Sequence, residues 1–290
     1  MTPILEVHRL CKTFGRHGGL GFGLRDVSFD VPAGRTVAVV GESGAGKSTV
    51  GRLVLRLMEP DSGTIRLAGD DFLRLSGKAL RSTRSRVQAV FQDPYGSFDP
   101  HMSIADSIGE PLRIQTDRSA RQRRQQVMEL LDEVGMSGTV AERRPYELSG
   151  GQLQRCAIAR AIATKPDLIV CDEAVAALDA STTAQVLNLL MDLQDDHGMA
   201  YLFISHDIAV VQVIADRVVV MKEGLVVEEG PAEQVLDAPA DPYTATLLDA
   251  VPVPDPVVQR ARIDAKAGIA DAPDDSPAIE PREKQIPTER

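Results

Sequence analysis

Gly41-Glu42-Ser43-Gly44-Ala45-Gly46-Lys47-Ser48-Thr49, entered from the β-branched run Thr36-Val37-Ala38-Val39-Val40, decides the fold of this chain. A short, continuous, β-branched run closed by a glycine reads as a central strand covered on both faces. The nine residues after it match GxxxxGK[ST], and that pattern has meaning only between a strand and a helix. The glycines let backbone amides approach phosphate oxygens, and the amides of the following helix add fixed positive potential. Lys47 is placed to reach the outer phosphates, and Ser48 to set its hydroxyl on Mg²⁺. A chance glycine-rich turn would explain the glycines. It would not explain the Lys-Ser pair at a strand-to-helix junction.

Toward the N-terminus, Ile4 to Leu10 and the alternating Val27, Phe29 and Val31 read as half-buried antiparallel strands, and Thr64 to Leu67 extends them. Toward the C-terminus, apolar runs at Leu168 to Cys171, Tyr201 to Ile204 and Val218 to Met221 alternate with helical stretches, as a parallel sheet with crossover helices requires. The fold class is therefore α/β. Ser119 to Val134 carries Val127, Leu130, Leu131 and Val134 at amphipathic-helix spacing, so residues 93–165 read as a helical insertion. Beyond Pro252 the chain is proline-rich, acidic and without apolar periodicity. Residues 1–250 are expected to form one domain, and 251–290 a disordered tail.

Three further segments carry chemistry. Leu168-Ile169-Val170-Cys171-Asp172-Glu173 ends an apolar strand on two carboxylates. Asp172 suits a metal held through water, and Glu173 suits a general base facing an attacking water. The bland reading is a pair of helix-capping acids. Leu148-Ser149-Gly150-Gly151-Gln152 has the Ser-to-Gln spacing of a capping box. That accounts for Ser149 and Gln152 but leaves two glycines, which are costly unless the backbone approaches something closely. A phosphate-facing helix N-terminus supplies the reason. Gln92 and His206 each follow a strand, where α/β proteins bind ligands, although either residue alone reads as ordinary surface.

Composition sets outer limits. With 290 residues, 43% of them hydrophobic, the chain can bury a substantial core. A formal charge of -10 disfavours nucleic acid as a partner. Arg118, Arg121, Arg123 and Arg124 form a basic run best read as a solvated helix face. Three cysteines, Cys11, Cys156 and Cys171, without CxxC spacing, suggest neither a disulfide framework nor a zinc site and fit a reducing compartment. The first residues lack the features of a signal peptide, and no stretch approaches eighteen uninterrupted apolar residues. Any membrane association is then expected through partners.

In order along the chain, GESGAGKST, VFQDP, LSGGQ, LIVCDE, ALD and ISHD resemble the ATP-binding subunit of ATP-binding cassette (ABC) transporters over residues 4–250. VFQDPYGSFDP, VLNLLMDLQ and DPYTATLLDAVPVPDP look like the oligopeptide/dipeptide importer branch. The resemblance implies a P-loop NTPase (RecA-like) core with an N-terminal antiparallel β subdomain and an inserted α-helical subdomain. It implies ATP and Mg²⁺ as ligands, with Gly41 to Thr49 as the Walker A loop and Phe14 stacking on adenine. Ser48, Gln92 and Asp172 would serve the metal, with Gln92 also relaying nucleotide state to a permease. His206 would contact the terminal phosphate in cis, Ser149 to Gln152 would cap that of the opposing subunit, and Asp179 would cross the dimer interface.

Implied partners are a second cassette subunit, a heterodimer being favoured, two membrane permease subunits and, indirectly, an extracytoplasmic binding protein. The implied location is the cytoplasmic face of the membrane. Three residues depart from the family's habit: Ala174 where proline follows the glutamate, Ala176 where serine precedes Ala-Leu-Asp, and Leu153 where a polar residue is common. They bear on the alignment of Glu173 rather than on nucleotide binding. No cysteine follows Cys171, so no iron–sulfur cluster is implied. Uptake of nickel, opines or sugars, a soluble cassette ATPase and a nucleotide-sensing regulator stand as alternatives.

Overall fold

The computed structural model describes residues 3–15 and 22–250. In chain order the elements are β1 (Pro3–Phe14), β2 (Phe22–Pro32), β3 (Thr36–Val40), α1 (Lys47–Val54), β4 (Ser62–Leu67), β5 (Asp70–Asp71), α2 (Gly77–Arg84) and β6 (Val87–Phe91). Then follow α3 (Ile104–Gln115), α4 (Ala120–Glu133), α5 (Gly150–Ile162), β7 (Leu168–Asp172), α6 (Ala180–His197) and β8 (Ala200–Ile204). The last are α7 (Ile208–Ile214), β9 (Arg217–Lys222), β10 (Leu225–Pro231), α8 (Ala232–Asp237) and α9 (Pro242–Asp249).

Two sheets result. One is antiparallel, in the order β2-β1-β4-β5; the other runs β10-β9-β3-β8-β7-β6, parallel except where β10 pairs with β9. The α/β expectation holds, and so does an antiparallel N-terminal sheet. In β1 the buried residues are Leu5, Val7 and Leu10, so the two-residue period breaks between Val7 and Leu10. The register slips at that point, where Arg9 stands at φ 49°, and again between Leu10 and Lys12, where Asp26 of β2 stands at φ 54°. A β-bulge resets which side chains face inward.

The parallel sheet divides the interior in two. Ile169 and Cys171 of β7 and Tyr201 and Phe203 of β8 face a core shared with α3, α4, α5 and α6. Their neighbours Leu168, Val170, Leu202 and Ile204 face the antiparallel sheet and α1. Both faces are apolar, which is why these strands read as unbroken hydrophobic runs rather than alternating ones. The apolar stretch from Ala209 to Met221 resolves into α7 and then β9, turning at Ala215 and Asp216. No helix of the described residues is long and apolar enough to cross a membrane.

Between β6 and β7 the chain is helical, with α3, α4 and α5 as its long elements. A capping box of Ser119 and Gln122 starts α4, and Ser103 caps α3 by accepting from the Asp106 amide. Helix α3 escapes periodicity reading because Gly109 and Pro111 interrupt it, although Ile104, Ile108 and Leu112 form its buried stripe. Arg118, just before α4, and Arg121 and Arg124 on it are exposed, and Arg124 pairs with Glu142. The acidic neighbour Glu133 pairs instead with His197. The expectation of a disordered tail falls on residues 251–290, outside the described residues.

Two outcomes follow from this packing. Leu202 is fully buried at the centre of the sheet, so Leu202→Ala should destabilise the protein by about 2–5 kcal/mol, read as a lowered chemical-denaturation midpoint. Burial pushes the Cys156 and Cys171 thiols up to about 12. At pH 8 both should resist alkylation in the native protein and react only in denaturant, as peptide mass mapping would show.

Candidate functional site

Four adjacent parallel strands, β3, β8, β7 and β6, end on the same side of the sheet, and the predicted site residues leave from those ends. Gly41 follows β3, Gln92 follows β6, Asp172 closes β7 with Glu173 next, and His206 lies two residues past β8. Phe91 and Asp172 are register partners, so Gln92 exits beside the carboxylates. The convergence comes from parallel pairing and not from nearness in sequence.

The loop from Gly41 to Thr49 is built by the backbone. Gly46, at φ 102°, caps α1, and a Cβ there would lie 2.5 Å from Leu24 Cδ2, so the position excludes a side chain on two counts. Gly44, at φ 85°, has open space in front of it. The Glu42 amide donates to the Tyr243 hydroxyl (3.2 Å), and the Gly224 amide donates to Ala45 O (3.0 Å), holding the loop from two sides. Lys47 is buried, and its ammonium donates to the Gly41 and Glu42 carbonyls at 2.8 and 2.9 Å. Burial lowers its pKa, and Glu173 and Asp172 partly oppose that fall.

Ser48 Oγ donates to Asp172 Oδ1 at 3.0 Å. Burial raises the Asp172 pKa; the Ser48 bond acts against this, while the charge of Glu173 reinforces it. An oxygen pair with a carboxylate strained by burial and by a like-charged neighbour is the donor chemistry that Mg²⁺ takes, since a cation would relieve both effects. The residues fit the metal expected of them.

Glu173 stands in the left-handed region at φ 52°, a conformation costing a non-glycine residue about 1–3 kcal/mol. Its amide donates to Ile204 O (2.9 Å), its carbonyl accepts from the Ala176 amide (3.1 Å), and its Oε1 lies 3.2 Å from His206 Nδ1. The two acids are thus not helix caps. Helix α6 is capped instead by Asp179, which accepts from Thr182 N (2.9 Å) and Thr182 Oγ1 (2.7 Å), and these bonds hold its carboxyl below the usual range.

A cleft of about 600 Å³ opens over the loop, bordered by Ser43 to Thr49 and Glu173 on one side. On the other, Phe14 and Phe22 stack with centroids 5.5 Å apart and planes at 21°. The volume suits a small-molecule ligand of nucleotide size. Phe22 was not legible in sequence, because only the β1–β2 register brings it opposite Phe14. Tyr243 was equally hidden, 201 residues from the amide it binds.

Ser149 to Gln152 lie at the start of α5 and take no part in the walls of this cleft. The capping box is present in full: Ser149 Oγ accepts from Gln152 N (3.3 Å), and Gln152 Oε1 accepts from Ser149 N (3.1 Å). The two glycines now part company. A Cβ at Gly151 would lie 2.4 Å from Thr182 Cγ2, so packing against α6 accounts for it. At Gly150 the nearest contact is Leu178 at 4.0 Å, so none of the described residues requires a glycine there. Leu153 is fully buried, which explains an apolar residue there; Ala174 is buried and Ala176 exposed. Beside Leu153, Gln154 is buried and donates to Ala174 O at 2.6 Å, a contact no motif reading announced.

Residues 24–176 match the family model described as ABC transporter, and residues 227–278 match that described as Oligopeptide/dipeptide transporter, C-terminal region. A probable peptide ABC transporter ATP-binding protein of Sinorhizobium fredii is 52% identical over 241 residues, covering 83% of this chain and 68% of the relative. The dipeptide transport ATP-binding protein DppF of Haemophilus influenzae is 45% identical over 268 residues, covering 90% and 82%. Among solved structures, the dimeric ATP-binding cassette MJ0796 in a post-hydrolysis state with ADP and Pi aligns with a TM-score of 0.70 and 28% identity, covering 79% of this chain and 98% of that one. By these matches, over a fold and a loop-lined cleft of that kind, the chain belongs to the ATP-binding cassette family of transporter ATPases.

Proposed function

We propose that this chain binds and hydrolyses ATP to energise uptake of oligopeptides, dipeptides or a related small solute. The carrying observation is Glu173: a carboxylate held in a strained backbone conformation, beside His206 and bordering the same cleft as Lys47. Strain of this kind persists where surrounding contacts over-determine it, and it clusters at catalytic sites.

In this reading Gly41, Glu42, Ser43, Gly44, Ala45, Gly46 and Thr49 cradle the phosphates through the loop backbone, and Lys47 neutralises them. Phe14, joined by Phe22, stacks on adenine. Glu173 takes the proton of the attacking water, and His206 orients it and meets the terminal phosphate. Ser48, Asp172 and Gln92 hold Mg²⁺, which when bound offsets the charge that develops on the phosphoryl oxygens. The Ser48–Asp172 pair favours this assignment, while Gln92 enters through its exit beside Asp172.

Ser149, Gly150, Gly151 and Gln152 serve a nucleotide held mainly by another subunit, and Asp179 flanks that interface. Gly150 supports the idea, because none of the described residues requires a glycine there. The similar cassette MJ0796 is dimeric. The partner here is a different homologous cassette, and both dock on two membrane permeases at the cytoplasmic face, supplied with solute by an extracytoplasmic binding protein. The match of residues 227–278 to the oligopeptide/dipeptide model supports peptide over nickel, opine or sugar as cargo. A nucleotide-sensing regulator would have no use for the Glu173–His206 contact.

Purified with its partner cassette and permeases, the protein should turn over ATP, and Glu173→Gln should lower kcat by about 10²- to 10⁴-fold while leaving nucleotide binding intact. Equal turnover of the two proteins would exclude Glu173 as the base. Gly150→Ala should leave the melting temperature of the isolated chain unchanged yet suppress turnover of the assembled complex, whereas Gly151→Ala should lower the melting temperature by disturbing α5 against α6. Loss of stability in both variants, with normal turnover in Gly150→Ala, would argue for packing alone.

A further inference from the structure

Gln154 lies on α5 one turn beyond the Ser149 cap and is 1% exposed. Its Nε2 donates to Ala174 O at 2.6 Å and reaches Phe91 O at 3.4 Å. Its Oε1 is buried and has no hydrogen-bond partner among the described residues. Rotating the amide would press Oε1 against two carbonyl oxygens, so the orientation is set by its surroundings. A buried polar atom left unpaired is a cost that a methionine or leucine of similar size would avoid. The donor side of the amide must therefore account for the residue.

Both acceptors border the site. Phe91 is the last residue of β6 and precedes Gln92; Ala174 follows Glu173. Glu173 is anchored on one side through its amide to Ile204 O, and its own carbonyl is taken by Ala176 N. On the other side the chain continues into Ala174, an alanine whose φ no ring restrains. The 2.6 Å bond from Gln154 is what ties the backbone there. The weaker 3.4 Å contact draws the end of β6 to the same amide.

We infer that Gln154 is a positioning residue that holds the backbone after Glu173 and before Gln92 on one buried amide, so that the helix carrying Ser149 to Gln152 sets the aim of the carboxylate. The inference rests on Glu173 being the base. It gives α5 a second task in its own subunit: movement at its N-terminus reaches Glu173 through a single side chain one turn away. A 1 Å misplacement of a catalytic group can lower a rate about 10²-fold, so a strut at this point suffices to gate turnover.

The test compares wild type, Gln154→Met and Gln154→Glu, each assembled with the partner cassette and permeases. For Gln154→Met, which keeps the volume and removes the donor, kcat should fall about 10- to 100-fold while KM and the affinity for a fluorescent ATP analogue stay near wild type. For Gln154→Glu, a buried carboxyl among carbonyl oxygens stays protonated to higher pH, and its O–H can replace the lost donor. Its kcat relative to wild type should therefore rise as pH falls from about 8 to about 6, a recovery that loss of packing would not produce. A folded Gln154→Met variant with wild-type kcat would overturn the inference. If that variant does not fold, a Gln154→Glu profile parallel to wild type would overturn it instead. Absence of turnover in the wild-type assembly would overturn the hydrolytic reading, and this inference with it.

Discussion

Parallel pairing of β3, β8, β7 and β6 is the constraint on which the rest of this molecule depends. Parallel strands share a direction, so all their carboxyl ends meet one edge, and the crossovers needed to return the chain must cover both faces. The faces are covered differently: α1 and the antiparallel sheet on one, the helices between β6 and β7 together with α6 on the other. Two apolar cores then hold one sheet rigid between them. The sheet edge is where a phosphate loop, two carboxylates and a histidine can be held in fixed relation, although they come from segments separated by more than a hundred residues.

Electrostatics at that edge are self-limiting. Lys47, Asp172 and Glu173 share a partly buried volume in which burial disfavours the charge on Lys47 and on Asp172, and each side relieves the other. Lys47 meanwhile spends its donors on the Gly41 and Glu42 carbonyls, and Ser48 spends its own on Asp172. Under the proposed function these are replaceable partners: phosphate oxygens would take the place of the carbonyls, and a cation that of the Ser48 proton at the Asp172 carboxylate. In the proposed function, a site wired this way is already oriented for a polyanion with a divalent metal.

Much of this could be read from the sequence, with physical reasons. Thr36 to Val40 reads as a doubly covered strand because β-branched residues without alternation leave no wet face, and all five are buried. The capping box at Ser149 is a local device, spelled within four residues, and it is present, while the structure adds a second at Ser119. Helix α3 was harder, since Gly109 and Pro111 mask a stripe that tertiary packing makes decisive. Phe22, Tyr243 and Gln154 were silent for a different reason: each acts through a partner 8 to 201 residues away, and nothing in its own neighbourhood records that partner.

The chain by itself determined the elements and the chemical types: a strand–loop–helix for phosphate, a strand ending in two acids, a capped helix opening on two glycines. These rest on short-range rules of period, capping and backbone freedom, which need only neighbouring residues to operate. Only the tertiary structure decided that Gly151 answers to Thr182 while Gly150 meets nothing closer than 4.0 Å among the described residues. It alone showed Glu173 in a left-handed conformation, facing His206 and tied through Ala174 to the amide of Gln154. Such assignments depend on distances between segments that meet only when the sheet is assembled, and sequence separation carries no record of them.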